Sequence, residues 1–154
     1  MEQHSEQVGT IQIFSELKPE GQRSIARIAT EETHSAGTRL FEQGTQGDCM
    51  YLILEGKIRV SRDIPGVGEE ALAILGPGDV FGEMALLDDA LRSADAWVHQ
   101  RCRLLAIRKE EFKELLGSHQ ELAHEVLWGI VKVLVARLRE TTDKLTFLSL
   151  SSRF

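Results

Sequence analysis

The chemistry-bearing residues of this chain concentrate between Gly76 and Val98, where an acid, an arginine and a hydroxyl follow a Gly-rich turn. The order is Gly76-Pro77-Gly78-Asp79-Val80-Phe81-Gly82-Glu83-Met84-Ala85-Leu86-Leu87, and nine residues after Glu83 comes Arg92-Ser93-Ala94. The short apolar run from Met84 to Leu87 reads as a helical turn. A helix that starts beside a glycine offers unpaired backbone N–H groups and the positive end of its dipole, and both attract an anion. Gly82 lets that anion come close to the main chain because no Cβ intervenes. Arg92 presents a planar fork of donors that suits two phosphate oxygens better than a lysine would. Ser93 adds a hydroxyl beside it. Glu83 alone would repel a phosphate, but it fits if the same ligand donates a hydroxyl, as a ribose 2′-OH does. A phosphate and a ribose on one ligand describe a nucleotide. The plain alternative is a Glu83–Arg92 salt bridge on an exposed turn, which would contribute little.

Such a stretch needs a frame, and the hydrophobic pattern around it supplies one. Between about 37 and 107 the chain breaks into seven short runs: Thr38–Phe41, Met50–Leu54, Lys57–Arg62, Glu70–Leu75, Val80–Phe81, Ala94–Val98 and Arg103–Ile107. Turn signals separate them, at Gly44, Gly47-Asp48, Glu55-Gly56, Pro65-Gly66-Val67-Gly68 and Gly76-Pro77-Gly78-Asp79. Asp79 is placed to pin the last of these turns. Ile58 and Val60 alternate with Lys57, Arg59 and Ser61, as in a strand with one wet face. The pattern predicts a mainly β fold with flanking helices, an antiparallel β-roll of the double-stranded jelly-roll type. Residues 12–32 predict one or two short helices, with Ser15 as a possible N-cap and Pro19 as a helix start. Lys109–Leu116 predicts a short helix ended by Gly117. Ser118 can then cap a much longer helix that runs to about Leu148. The chain thus divides as one domain, 1–154, into an N-terminal helical segment (1–36), a β-roll (37–107) and C-terminal helices (108–150).

Length and composition exclude several classes. The 154 residues suit one domain with a real core, at 42% apolar and 27% charged residues. No apolar run approaches the roughly 20 residues that a bilayer needs. The acidic start Met1-Glu2-Gln3-His4-Ser5-Glu6 lacks the order of a secretory signal. Cys49 and Cys102 are too few for a disulfide framework, which points to a cytoplasmic setting. A net charge of −6 disfavours nucleic acid as a partner. The five histidines form no His-x-His pair, so a metal-dependent enzyme of cupin type is a poor fit, and no catalytic residue is assigned.

The stretch Phe81-Gly82-Glu83-Met84-Ala85-Leu86-Leu87, followed by Arg92-Ser93-Ala94, resembles the phosphate-binding cassette of the cyclic nucleotide-binding domain family. That family includes bacterial catabolite-activator-type regulators, regulatory subunits of cyclic-AMP-dependent protein kinase, and cyclic nucleotide-gated channels. Gly47 to Ile58 is similar to the family's first hairpin. The resemblance implies that Glu83 holds the ribose 2′-OH and that Arg92 and Ser93 hold the cyclic phosphate. Gly82 and the amides near Ala85 would complete the cradle. Leu138-Arg139-Glu140-Thr141-Thr142-Asp143-Lys144 looks like the stretch of those regulators whose two neighbouring hydroxyl residues touch the adenine, one from each subunit. Arg137 lies where they place an arginine that pairs with the pocket glutamate. The family also covers the base with an aromatic or apolar lid, for which Trp128 and Phe147 are both available.

The long C-terminal helix carries two apolar stripes. Leu127, Val131, Leu134, Leu138, Thr141, Leu145 and Leu148 advance by alternating fours and threes, a heptad seam. Leu122, Val126, Ile130 and Val133 form a second stripe beside it. One stripe suits the roll and the other suits the same helix of a second chain, which predicts a two-fold homodimer. In this frame Thr141 reads either as a polar residue that sets the register of the seam or as a ligand contact. The combined expectation is a stand-alone sensor that binds cyclic AMP, with cyclic GMP also admissible, and signals through this helix to an unknown downstream protein. The alternatives are a ligand-independent dimeric scaffold of the same fold, or a fragment of a cyclic-AMP-responsive transcription regulator. In those regulators a DNA-binding helix-turn-helix would begin after about residue 150, so no DNA reading is expected from these residues alone.

Overall fold

The computed structural model describes residues 2–83 and 87–151. Two helices and a turn lead in: α1 (Glu2–Gly9), a 3-10 turn (Gln12–Phe14) and α2 (Pro19–Ile28). Six strands follow: β1 (Ala29–His34), β2 (Arg39–Phe41), β3 (Cys49–Ile64), β4 (Gly68–Leu75), β5 (Val80–Phe81) and β6 (Asp95–Arg108). Two helices, α3 (Lys109–Ser118) and α4 (Gln120–Ser151), close the order. All strand pairs are antiparallel, in the order β1-β6-β3-β4, with β2 also on β6 and β5 also on β3. This is the antiparallel β architecture with short leading helices and one long trailing helix that the patterning predicts.

The details differ in instructive ways. Met50–Leu54 and Lys57–Arg62 are not two strands of a hairpin but one 16-residue strand, β3. Glu55-Gly56 is a bulge within it, where the register against β6 shifts. Gly56 has φ +90°, and a Cβ there would sit 2.2 Å from the Arg101 carbonyl oxygen, so the bend requires glycine. Ala94–Val98 and Arg103–Ile107 likewise merge into the 14-residue β6. The sheet also begins earlier than expected, since Ala29 to His34 pairs residue by residue with Ile107 to Cys102. Its Thr-Glu-Glu-Thr core is too polar to stand out as a strand by apolar alternation. Pro19 does start a helix. Ser15, however, follows the 3-10 turn and bonds back to the Gln12 carbonyl instead of capping forward. Ser118 behaves similarly: it ends α3, past Gly117, and its Oγ donates to the Glu114 carbonyl at 2.8 Å.

Successive residues of a strand face opposite sides, and β6 is buried on both. Leu104 and Val98 fill the interior of the roll with Ile53, Ile58 and Phe81. Leu105 and Ile107 face the helices, meeting Phe14, Ile25, Met50 and Leu52. The α4 stripe Leu122, Val126, Ile130 and Val133 buries against this second cluster. Each such side chain contributes about 1.5–3 kcal/mol by leaving water. Gly129 allows the close approach, because a Cβ there would meet the Ile13 carbonyl oxygen at 2.2 Å. The heptad stripe stays in solvent, with Leu134 at 40% and Leu138 at 66% exposure. The N-terminal half of α4 is therefore anchored, and its remainder runs past the mouth of the roll.

Candidate functional site

The Gly-rich turn is built where its residue types require. Asp79 Oδ2 accepts the Gly76 amide at 3.0 Å, pinning the turn, and the Gly78 amide donates to the Ile53 carbonyl. The chain then pairs as β5 with β3, Tyr51 opposite Phe81, which carries Gly82 into the roll. Gly82 has φ +79°. A Cβ there would lie 2.7 Å from Arg92 Nη1 and 3.1 Å from the Cys49 carbonyl oxygen, so a side chain would strain the backbone and displace the arginine.

Arg92 is delivered from the opposite side by a loop bolted to its neighbour, its amide donating to the Thr45 carbonyl at 2.7 Å. The side chain is only 5% exposed. Its Nη1 donates to the Gly82 carbonyl at 2.9 Å and its Nη2 to the Cys49 carbonyl at 2.6 Å. The guanidinium lies 4.0 Å over the Phe41 ring, which itself packs with Tyr51 and Phe81. Nε is buried without a partner among the described residues. Burial pulls the guanidinium below its ordinary pKa, opposed by the fields of Tyr51, Asp48, Cys49 and Glu83. A cation held this way is preorganised and short of anionic partners.

Glu83 is 9% exposed, and its Oε1 accepts a hydrogen bond from Arg137 Nη1 of α4. Thr141 Oγ1 donates back to the Arg137 carbonyl at 2.9 Å. Between these groups lies a cavity of about 430 Å³. Its apolar floor includes Val60, Ala73 and Leu75, and Gly82, Glu83, Arg92, Ser93 and Ala94 form one wall. Arg137, Glu140, Thr141 and Lys144 of α4 form another. A buried guanidinium, a buried carboxylate acceptor and an apolar floor thus face a single open cavity.

Of the residues singled out from sequence, Phe81, Gly82, Glu83, Arg92, Ser93, Ala94, Arg137 and Thr141 line this cavity. Met84 and Ala85 lie outside the described residues. Thr142 is exposed and does not line the cavity; its carbonyl accepts Thr146 Oγ1. Trp128 and Phe147 are 56% and 68% exposed, and neither lines the cavity. Sequence reasoning missed Phe41, Glu140 and Lys144. The latter two lie three and seven residues beyond Arg137, on the same helical face, and that spacing was the available signal. Phe41 carries no such signal, because its partner Arg92 is far away in the chain.

Residues 31–119 match the family described as cyclic nucleotide-binding domain. The chain belongs to that family. It is 36% identical over 137 residues to the Cyclic AMP receptor protein of Thermus thermophilus, covering 89% of this chain and 62% of that protein. It is 31% identical to the cGMP-dependent protein kinase egl-4 of Caenorhabditis briggsae, over 77% of this chain and 16% of the kinase. A solved cyclic nucleotide-binding domain from Methylobacillus flagellatus superposes with a TM-score of 0.81 at 29% identity, covering 93% of this chain and 80% of that one. The chain spans about three fifths of the length of the bacterial receptor it matches.

Proposed function

We propose that this chain is a non-catalytic sensor of a cyclic nucleotide, cyclic AMP in the first place. Arg92 and Ser93 hold the cyclic phosphate, together with Gly82 and the amides near Ala85. Glu83 accepts the ribose 2′-OH through Oε2, since Oε1 is taken by Arg137. Thr141 touches the base, and Thr142 does so from a second copy of the chain. One observation carries the reading: Glu83 and Arg92, both buried, line the same cavity with the bare Gly82 backbone between them. A buried salt bridge with no ligand role would join the two directly, but each is paired elsewhere.

The output leaves through α4. Arg137 ties this helix to the pocket carboxylate, so ligand contacts on Glu83 bias how α4 lies on the roll, a population shift. The exposed seam from Leu127 to Leu148 is the surface for a homodimer, which a downstream protein would read. No helix among the described residues is long and apolar enough to cross a membrane; the scarcity of cysteine is what leads us to place the chain in the cytoplasm. The same seam favours a second reading, a ligand-independent dimeric scaffold. The partial coverage of the Thermus receptor fits a third, a fragment of a transcription regulator.

Isothermal titration with cyclic AMP, cyclic GMP and 5′-AMP tests the reading. Saturable heat with a cyclic nucleotide and little with 5′-AMP is expected. A dimer that takes up no cyclic nucleotide overturns the sensor and leaves the scaffold.

A further inference from the structure

The Arg92 guanidinium has a back as well as a front, and Phe41 of β2 stands behind it. In an undisturbed strand Arg39 and Phe41 would share a face. On the neighbouring β6, Ala96 and Val98 pack inside the roll, so Trp97 between them points outward, and Arg39 lies over its ring at 5.2 Å. The register slips between Arg39 and Phe41, which pair with the adjacent residues Trp97 and Ala96. Such a bulge re-aims a side chain, and here it turns Phe41 inward. The ring then joins a cluster with Tyr51 and Phe81, at centroid separations of 6.5 and 6.0 Å, while those two stack at 5.0 Å. Its free side meets both halves of the cradle. Arg92 Cζ lies 4.0 Å from its centroid, and a Cβ on Gly82 would come within 3.4 Å of its Cε2.

We infer that Phe41 is the positioning residue for Arg92, an inference that rests on the sensor reading above. The partners that Arg92 hydrogen-bonds are two neutral carbonyls, those of Gly82 and Cys49, and among the described residues no carboxylate pairs with it. A buried cation needs more than that. A carboxylate would supply it but would take up N–H donors and repel an incoming anion. The negative face of an aromatic ring attracts the cation without taking any donor in the guanidinium plane. Phe41 thus holds the fork in place and leaves its remaining N–H groups to a phosphate, so a ligand need not order the side chain on arrival. An aliphatic residue of similar size would fill the space without holding the charge.

Fluorination of the ring tests this, because it drains the π face with little change of shape. In the full chain, mono-, di- and trifluorophenylalanine at position 41 should weaken cyclic AMP stepwise, and Phe41→Leu by about 3–30-fold, while Phe41→Tyr binds within about twofold of the wild type. If the ring met the phosphate directly, fluorination would strengthen binding, since it relieves the repulsion of an anion. A flat or rising fluorine series therefore overturns the inference, and a falling one supports it. The Arg92 Nε–H proton gives a second readout that needs no ligand: its NMR signal should lie upfield, under the ring current of Phe41, and return downfield in Phe41→Leu. An unshifted signal in the wild type also overturns the inference. A wild type that binds no cyclic nucleotide sinks the sensor reading instead, and the NMR signal then shows separately whether the ring holds the arginine.

Discussion

Replacing Arg92 by lysine keeps the charge and removes the fork, and the structure sets the size of the effect. A guanidinium has five N–H donors. Arg92 uses one on the Gly82 carbonyl and one on the Cys49 carbonyl, and it lies over the Phe41 ring at 4.0 Å. Nε is buried, so the second N–H of each Nη is what remains for a ligand. A lysine ammonium is a single point, so it can keep one carbonyl or meet the phosphate, but not span both carbonyls and a bidentate anion. Losing one hydrogen bond to a charged group costs about 1.5–3 kcal/mol, and a desolvated cation–π contact adds up to about 2 kcal/mol. A folding loss near 3 kcal/mol should lower the melting temperature by roughly 6–12 °C, at about 2–4 °C per kcal/mol for a domain of this size. Turning a two-pronged phosphate grip into a single contact should weaken cyclic AMP by about 10–100-fold. Differential scanning calorimetry reads the first quantity, and titration well below the melting transition reads the second. A lysine variant that melts within about 2 °C of the wild type and binds within about threefold would show that charge alone suffices, and the fork argument fails.

Three further outcomes follow from the same geometry. Glu83→Gln should weaken cyclic AMP by about tenfold or more and erase the preference for cyclic AMP over its 2′-deoxy form, a double cycle that isolates the hydroxyl contact; a preference that survives in the variant assigns the ribose to another residue. Leu134→Asp with Leu138→Asp places two charges on the exposed seam, so sedimentation should show the wild type as a dimer and the variant as a monomer with unchanged helicity, whereas equal masses refute the seam. Burial pushes the Cys49 thiol up to about 11, with Glu32 and Asp48 adding to it. Native protein at pH 8 should therefore leave this thiol unreacted with Ellman's reagent until it unfolds. A folded pKa raised above the unfolded one gives stability that is complete below about 9 and lost as pH rises through about 11, so Cys49→Ala should flatten that alkaline limb.

The sequence was readable wherever one short stretch carried its own geometry. Gly82, Glu83 and Arg92 sit close in the chain, and the structure brings all three to one cavity. The buried α4 stripe was likewise visible, because Leu122, Val126, Ile130 and Val133 recur at helical spacing within one element. What stayed hidden depends on partners distant in the chain. Gly56 looks like any turn glycine until the Arg101 carbonyl is found where its Cβ would be. The polar β1 becomes a strand only because β6 has a free edge to pair with it. Arg92 could be singled out by its type and spacing, but not the Cys49 carbonyl that holds it from 43 residues away.

That distinction explains why α4 is the part of the molecule through which a ligand could act. Its first half is fixed by burial and by the close contact of Gly129 with Ile13. Beyond Val133 it has no buried residue, and among the described residues the Arg137–Glu83 pair ties it to the β5–β6 segment. A contact between one partly exposed arginine and a buried carboxylate is too small to compete with a packed core, so the C-terminal half of α4 is the low-stability end of the fold. On the proposed reading, a nucleotide seated in the cavity would meet Glu83, which holds Arg137 of that half, and Thr141 upon it. The contacts a ligand brings therefore fall where the fold itself supplies few, and a modest binding energy there has the most leverage on the exposed seam beyond.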